Sequence, residues 1–194
     1  MLFRSHEGLS LVEVMVVDYG AGNTRSVCAA LQRLGHRFVV TSDPRAISGS
    51  EYVILPGVGS ARSAMSHLTH SGATAALRQR FADHDPMLGI CLGMQLAVTS
   101  SDEDGGVGGL DLFPGRVHRL DGQRVPRLGW CMVEPLGDAM YFAHSYSVTS
   151  ASATHLSDGI TAIVENGSFL GCQFHPEKSG DAGLTFLDRC LSPA

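Results

Sequence analysis

Met87-Leu88-Gly89-Ile90-Cys91-Leu92-Gly93 joins a short apolar run, read as a buried strand over Met87–Ile90, to a helix that begins at Leu92. A strand that turns this sharply into a helix is the repeating unit of a parallel sheet with crossover helices. It also has the form of a nucleophile elbow with cysteine at the apex. Glycine on both flanks suits that form, because a larger residue at 89 or 93 would press on the neighbouring strand and helix. Cys91 would then stand clear of the sheet, at a helix start whose unpaired amides favour negative charge. The amide of Leu92, next in the chain, is suited to receive the oxyanion of a tetrahedral intermediate. Taken alone, the stretch leaves a second reading open, in which Cys91 is a small buried hydrophobe.

Working outward, the first half repeats the same alternation. Strands are expected over about Val12–Asp18, Arg37–Thr41 and Tyr52–Leu55. Helices are expected over Thr24–Leu34, where Val27, Ala30, Leu31 and Leu34 make an apolar stripe, after Ser60 as an N-cap, and over Ala73–Ala82 before Asp85-Pro86. From Gly105 onward the texture changes to short β-prone pieces: Arg116–Leu120, Tyr141–Ala143, Tyr146–Val148, Thr161–Glu165 and Phe169–Phe174. A closing helix over Asp181–Cys190 offers Leu184, Phe186, Leu187 and Cys190 to the core. The pattern predicts an α/β fold: a mixed, mainly parallel sheet flanked by helices, with a β-richer C-terminal half. One domain is expected over 12–194, and 1–11 reads as a disordered extension.

The chain has 194 residues, 44% hydrophobic and 17% charged, which is enough apolar material for a substantial core. A net charge of −5 offers no basic face for nucleic acid or an anionic membrane, and no apolar run is long enough to span a bilayer. The five cysteines, Cys28, Cys91, Cys131, Cys172 and Cys190, are odd in number and widely spaced, so reduced thiols and a cytoplasmic location are expected. No metal site or cofactor is expected: there is no Cys-x-x-Cys pair, and His67 and His70 lie on an exposed helix without a third ligand.

Two further segments complete a constellation with Cys91. In His175-Pro176-Glu177 the proline pushes His175 toward an extended conformation, so residues 175 and 177 can project to one side, as a base and its orienter. Leu55-Pro56-Gly57-Val58-Gly59-Ser60 leaves a buried strand at the end where open parallel sheets place their ligands, and its glycines can turn an amide inward as the second half of an oxyanion hole. Each also has a bland reading, as a surface turn and as an ordinary loop.

Gly89-Ile90-Cys91-Leu92-Gly93-Met94-Gln95 and Gln173-Phe174-His175-Pro176-Glu177-Lys178-Ser179 resemble the class I, triad-type glutamine amidotransferases, whose fold is flavodoxin-like. Within that family, Met94, Asp18-Tyr19-Gly20-Ala21-Gly22-Asn23, Gly129-Trp130 and His144-Ser145-Tyr146 look most like the glutaminase subunit of imidazole glycerol phosphate synthase, of histidine biosynthesis. The resemblance implies glutamine hydrolysis through Cys91, His175 and Glu177. It implies an oxyanion hole from Gly57, Val58, Gly59 and Leu92, and glutamine held by Gln95, Glu103, Ser145 and Tyr146. It also implies a (β/α)₈-barrel cyclase partner that receives ammonia across an interface containing Asn23 and Lys178, and a Pro56–Gly59 loop that flips an amide inward when the partner is loaded. Glu103 has a chemical rationale as a carboxylate for the substrate ammonium, but Asp102-Glu103-Asp104 also reads as an acidic solvated loop.

Three features depart from the family pattern: residues 1–11 have no counterpart, Arg127 and Cys131 stand where histidine and asparagine are usual, and the segment from Trp130 to Tyr141 is about a dozen residues short. These departures keep open a paralogue that feeds a different synthase, and a catalytically silent structural subunit stands beside it. Two rivals fall on the residues themselves. Gly20-Ala21-Gly22 fails as a dinucleotide fingerprint because Arg25 stands where a third glycine is needed. An α/β-hydrolase would carry its acid between nucleophile and histidine, whereas Glu177 follows His175.

Overall fold

In β1 (Glu13–Val17), Val14 and Val16 turn to one face and Met15 and Val17 to the other, and all four are buried. A strand apolar on both faces must be covered on both faces, which requires a central sheet with helices above and below. The computed structural model describes residues 12–20, 23–122 and 125–192. The extension expected over 1–11, and Ala21-Gly22 of the rival fingerprint, lie outside the described residues.

After β1 the chain alternates: α1 (Thr24–Arg33), β2 (Arg37–Thr41), α2 (Pro44–Ser48), β3 (Tyr52–Leu55), α3 (Ala61–Ser71), α4 (Ala73–Ala82), β4 (Met87–Ile90) and α5 (Leu92–Ala97). The short α2 fills the gap between β2 and β3. Asp43 caps it by accepting from the Arg45 amide at 2.9 Å, and Pro44 opens its first turn. Ser60 caps α3 as its sequence predicts, accepting from the Ser63 amide at 3.1 Å. The guanidinium of Arg80 on α4 is buried and donates to the carbonyls of Ile47 at 3.0 Å and Ser50 at 2.8 Å, tying α4 to the end of α2.

The second half supplies β5 (Val98–Ser101), β6 (Val107–Gly108), β7 (Phe113–Arg119), β8 (Arg127–Val133), β9 (Asp138–His144), β10 (Tyr146–Thr149), β11 (Ala153–Ser157), β12 (Ile160–Asn166), β13 (Phe169–Cys172) and α6 (Gly180–Leu191). The main sheet runs β11-β12-β13-β4-β3-β1-β2. Pairing is parallel from β13 through β4, β3 and β1 to β2, and antiparallel where β12 and β11 extend it. This is the mixed, mainly parallel sheet that the sequence predicts.

One core layer packs Met15, Val17, Val53 and Leu55 against Ala64, Leu68, Ala76 and Leu77 of α3 and α4. The opposite layer packs Val14, Val16, Ile54 and Ile90 against Val27 and Leu31 of α1 and Phe186 and Leu187 of α6. A four-stranded sheet, β10-β7-β5-β6, and the β8–β9 hairpin stand beside the main sheet and wall its C-terminal edge. The shortened segment closes this hairpin through residues 134–137, which pairs Trp130 directly with Tyr141. On β8, Leu128, Trp130 and Met132 alternate outward and are all exposed. None of the described helices is long and apolar enough to cross a membrane.

Candidate active site

Cys91 sits between β4 and α5 with φ 52° and ψ −105°, a positive-φ conformation that a non-glycine residue adopts only under constraint. The constraint is packing. A Cβ at residue 93 would lie 1.8 Å from the Leu55 carbonyl oxygen, and one at residue 89 would lie 2.6 Å from the Phe169 ring. The chain therefore turns within two glycines held against β3 and β13, while the Cys91 amide donates to the Cys172 carbonyl at 2.7 Å. A sharp elbow with the thiol at its crest follows.

β13 leads through Phe174 to His175, whose amide donates to the Tyr141 carbonyl at 2.8 Å. The His175 Nδ1–H donates to Glu177 Oε1 at 2.8 Å, and both side chains are almost fully buried. A carboxylate only accepts, so the bond fixes the tautomer and leaves Nε2 to exchange a proton with Cys91. Burial works to lower the His175 pKa, but negative charge on Cys91 and Glu177 outweighs it and raises the value to about 9. Among the described residues Nε2 has no hydrogen-bond partner at rest, so the influence of Cys91 is charge proximity and not a closed bond. Glu177 Oε1 also accepts from Asn23 Nδ2 at 2.9 Å, and Asn23 Oδ1 accepts from Ser26 Oγ at 2.6 Å. Asn23, expected at a partner interface, thus turns its carboxamide inward to the acid, while Lys178 is exposed.

A pocket of about 340 Å³ opens over Cys91. Its walls bring together Val58, Gly59, Leu92, Gln95, Glu103, Ser145 and Tyr146, all singled out from sequence. Gly57 packs behind the wall against the elbow: a Cβ there would meet Leu92 Cβ at 2.6 Å and the Gly93 amide nitrogen at 2.7 Å. Burial raises the Glu103 pKa, its bond from the Ala61 amide at 3.2 Å opposes the rise, and nearby Asp104 adds to it.

The family model for "Glutamine amidotransferase class-I" matches residues 15–191. The chain belongs to the class-I glutamine amidotransferases. It is 43% identical over 190 residues to imidazole glycerol phosphate synthase subunit HisH of Carboxydothermus hydrogenoformans, covering 89% of this chain and 96% of that one. It is 41% identical over 195 residues to the HisH subunit of Symbiobacterium thermophilum, covering 91% and 92%. A crystal structure of a glutamine amidotransferase superposes with TM-score 0.76 at 21% identity, covering 90% of this chain and 96% of that one. A structure titled PurLQS from Thermotoga maritima reaches 0.68 at 18% identity, covering 91% and 96%, and both likenesses speak to the fold alone.

Within this glutamine amidotransferase site, three residues had no role assigned from sequence. Gln173 is fully buried and donates from Nε2 to Cys91 Sγ at 3.6 Å. His144 holds the Tyr146 carbonyl with Nδ1 at 2.8 Å. A carbonyl only accepts, so Nδ1 carries the proton. Burial pulls the His144 pKa down to about 4, with Arg127 and His175 adding to the fall against that backbone bond, so the ring is neutral. The Tyr19 hydroxyl donates to the Pro56 carbonyl and anchors the start of the Pro56–Gly59 loop. Gln173 and His144 both lay inside quoted motifs, within two positions of residues that did receive roles. Tyr19 lies far from the loop in sequence, so only the fold brings them together.

At rest the Leu92 amide donates to the Gly57 carbonyl at 3.4 Å. A peptide's N–H and C=O point opposite ways, so the Val58 amide faces away from the elbow in this state. Of the amides at the residues expected to hold an oxyanion, that of Leu92 is thus occupied and that of Val58 averted.

Proposed function

We propose that this chain hydrolyses glutamine to glutamate and ammonia with Cys91 as nucleophile, and that it delivers the ammonia to a cyclase as the glutaminase subunit of imidazole glycerol phosphate synthase. The observation that carries the reading is the buried Glu177–His175 pair beside a strained elbow cysteine at the floor of an amino-acid-sized pocket. The identity of 41% to 43% to two HisH subunits over about nine-tenths of the chain supports the choice of synthase.

His175 takes the Cys91 proton, and the thiolate adds to the side-chain carbonyl carbon of glutamine. The carbonyl electron pair moves onto oxygen, which the Leu92 and Val58 amides receive once the Gly57–Val58 peptide has turned over. The intermediate collapses, the C–N bond breaks, and His175 protonates the departing ammonia. Water then adds to the thioester with His175 as base, the C–S bond breaks, and glutamate leaves as Cys91 regains its proton. Glu177 holds the tautomer and the imidazolium throughout. Glu103 receives the substrate ammonium, and the Ser145–Tyr146 segment and Gln95 line its other end.

The resting contact of Gly57 with Leu92 supports a site that is slow until a partner biases the loop, a two-state backbone element. The exposed row Leu128, Trp130 and Met132, whose first member also lines the pocket mouth, supports a docking face for a (β/α)₈-barrel cyclase there. Five free thiols fit work in the cytoplasm. The test is glutaminase turnover with and without a histidine-pathway cyclase and its phosphoribulosyl-formimino substrate. Strong stimulation is expected, and no stimulation would move the reading to a paralogue serving another synthase.

A further inference from the structure

Gln173 directly follows β13, two residues before His175, and its carboxamide is wholly enclosed. Its orientation is fixed by its neighbours. Gln95 Nε2 donates to the Tyr146 carbonyl at 2.9 Å and to Gln173 Oε1 at 3.0 Å. Because a carbonyl only accepts, the Gln95 NH₂ group must be the end that faces both oxygens, and the oxygen of Gln173 must face Gln95. The NH₂ group of Gln173 is thereby turned to Cys91 Sγ, 3.6 Å away. Four groups are thus linked: Gln95 donates both to the Tyr146 carbonyl in the pocket wall and to Gln173, and Gln173 donates on to the sulfur.

We infer that Gln173 is a catalytic residue whose N–H donates to the Cys91 sulfur, holding it in the attacking position and stabilising the negative charge it carries before attack and on release from the thioester. This rests on the reading of Cys91 as the nucleophile of a glutaminase. The donor acts where charge changes. A thiolate accepts strongly from an N–H, a thioester sulfur hardly does, so the bond forms again as the C–S bond breaks and the electron pair returns to sulfur. His175 carries the proton but cannot do this alone, since its Nε2 must leave the sulfur to reach the departing nitrogen. The linkage also places the sulfur relative to the substrate wall, since the peptide of Tyr146 that orients Gln95 belongs to the pocket.

The competing account is that Gln173 only satisfies Gln95. Two substitutions separate them: Gln173→Met removes donor and acceptor at similar size, and Gln173→Glu keeps the acceptor for Gln95 while replacing the N–H with oxygen. The rate of Cys91 alkylation by iodoacetamide is measured against pH by mass spectrometry, alongside kcat and KM for glutamine with the loaded partner and thermal unfolding. In Gln173→Met the acid limb of the alkylation profile, which belongs to the Cys91–His175 pair, moves up by about one pH unit. Its kcat falls about tenfold, with KM changed by less than about threefold. In Gln173→Glu the limb moves at least as far, although the bond from Gln95 survives; this variant carries the comparison if the methionine protein does not fold. An unmoved limb and an unchanged kcat in a folded variant would overturn the role of Gln173 and leave the glutaminase reading standing. Wild-type protein that resists alkylation at Cys91 across the whole pH range would instead overturn the reading beneath it.

Discussion

Gly57→Ala tests the proposed oxyanion loop through a contact that only a shift of the loop itself can relieve. The added Cβ would lie 2.6 Å from Leu92 Cβ, 2.7 Å from the Gly93 nitrogen and 2.7 Å from the Tyr19 hydroxyl. Carbon atoms need about 3.5 Å, so the loop must retreat by about 1 Å. The obstacles cannot yield instead: two belong to the elbow, and the third is a buried phenol already bound to Pro56. A displacement of about 1 Å at a reacting centre costs about 100-fold, and loss of one oxyanion donor about 100- to 1,000-fold. Partner-stimulated glutaminase turnover should therefore fall about 100-fold in kcat with a smaller change in KM. The melting temperature should drop by only a few degrees, since the neighbouring Val58 is at the surface. A folded variant that keeps kcat within about threefold of wild type would refute the role given to this loop.

Gly93→Ala should be far more damaging to the fold itself, because its Cβ would lie 1.8 Å from the Leu55 carbonyl oxygen. A loss above about 4 kcal/mol is expected in denaturant unfolding, and a variant with a wild-type midpoint would contradict the packing account of the elbow. Glu177→Gln removes one of the two charges that raise the His175 pKa, so burial, opposed by Cys91 alone, lowers it from about 9. A raised histidine pKa adds stability that is full below the unfolded value near 6.5 and fades as pH climbs through the folded value. The stability gap between wild type and this variant should thus be widest below about pH 6.5 and narrow toward pH 9; a gap that widens with pH would contradict the sign. Trp130→Ala should change unfolding little, since the residue is 57% exposed, yet weaken cyclase binding by about tenfold or more in a titration. Undiminished affinity would move the docking face elsewhere.

The parallel half of the fold was legible because its strands are apolar on both faces and end in turn residues, as at Tyr52–Leu55 and Met87–Ile90. β8 was not legible. Leu128, Trp130 and Met132 face solvent while Cys131 and Val133 face inward, so no polar–apolar alternation marks it as a strand. β5 was hidden for a related reason: Leu92 to Val98 is one nearly unbroken apolar run, and nothing in it shows that helix gives way to strand after Ala97. At the site, Cys91, His175 and Glu177 stood out through spacing and adjacent glycine or proline. Asn23 shows what such reading leaves out, for only the fold brings its carboxamide to Glu177, 154 residues away along the chain. Which end of a buried carboxamide meets a sulfur, as at Gln173, depends on partners 78 and 82 residues away along the chain.

The central claim is that Cys91 attacks glutamine, and mass spectrometry after treatment with a glutamine-like electrophile in the presence of the loaded cyclase tests it most directly. A single adduct on Cys91, blocked by excess glutamine, is expected, together with complete loss of glutamine hydrolysis in Cys91→Ser protein that still folds and binds its partner. No adduct on Cys91 under these conditions, or hydrolysis that survives the serine substitution, would contradict it.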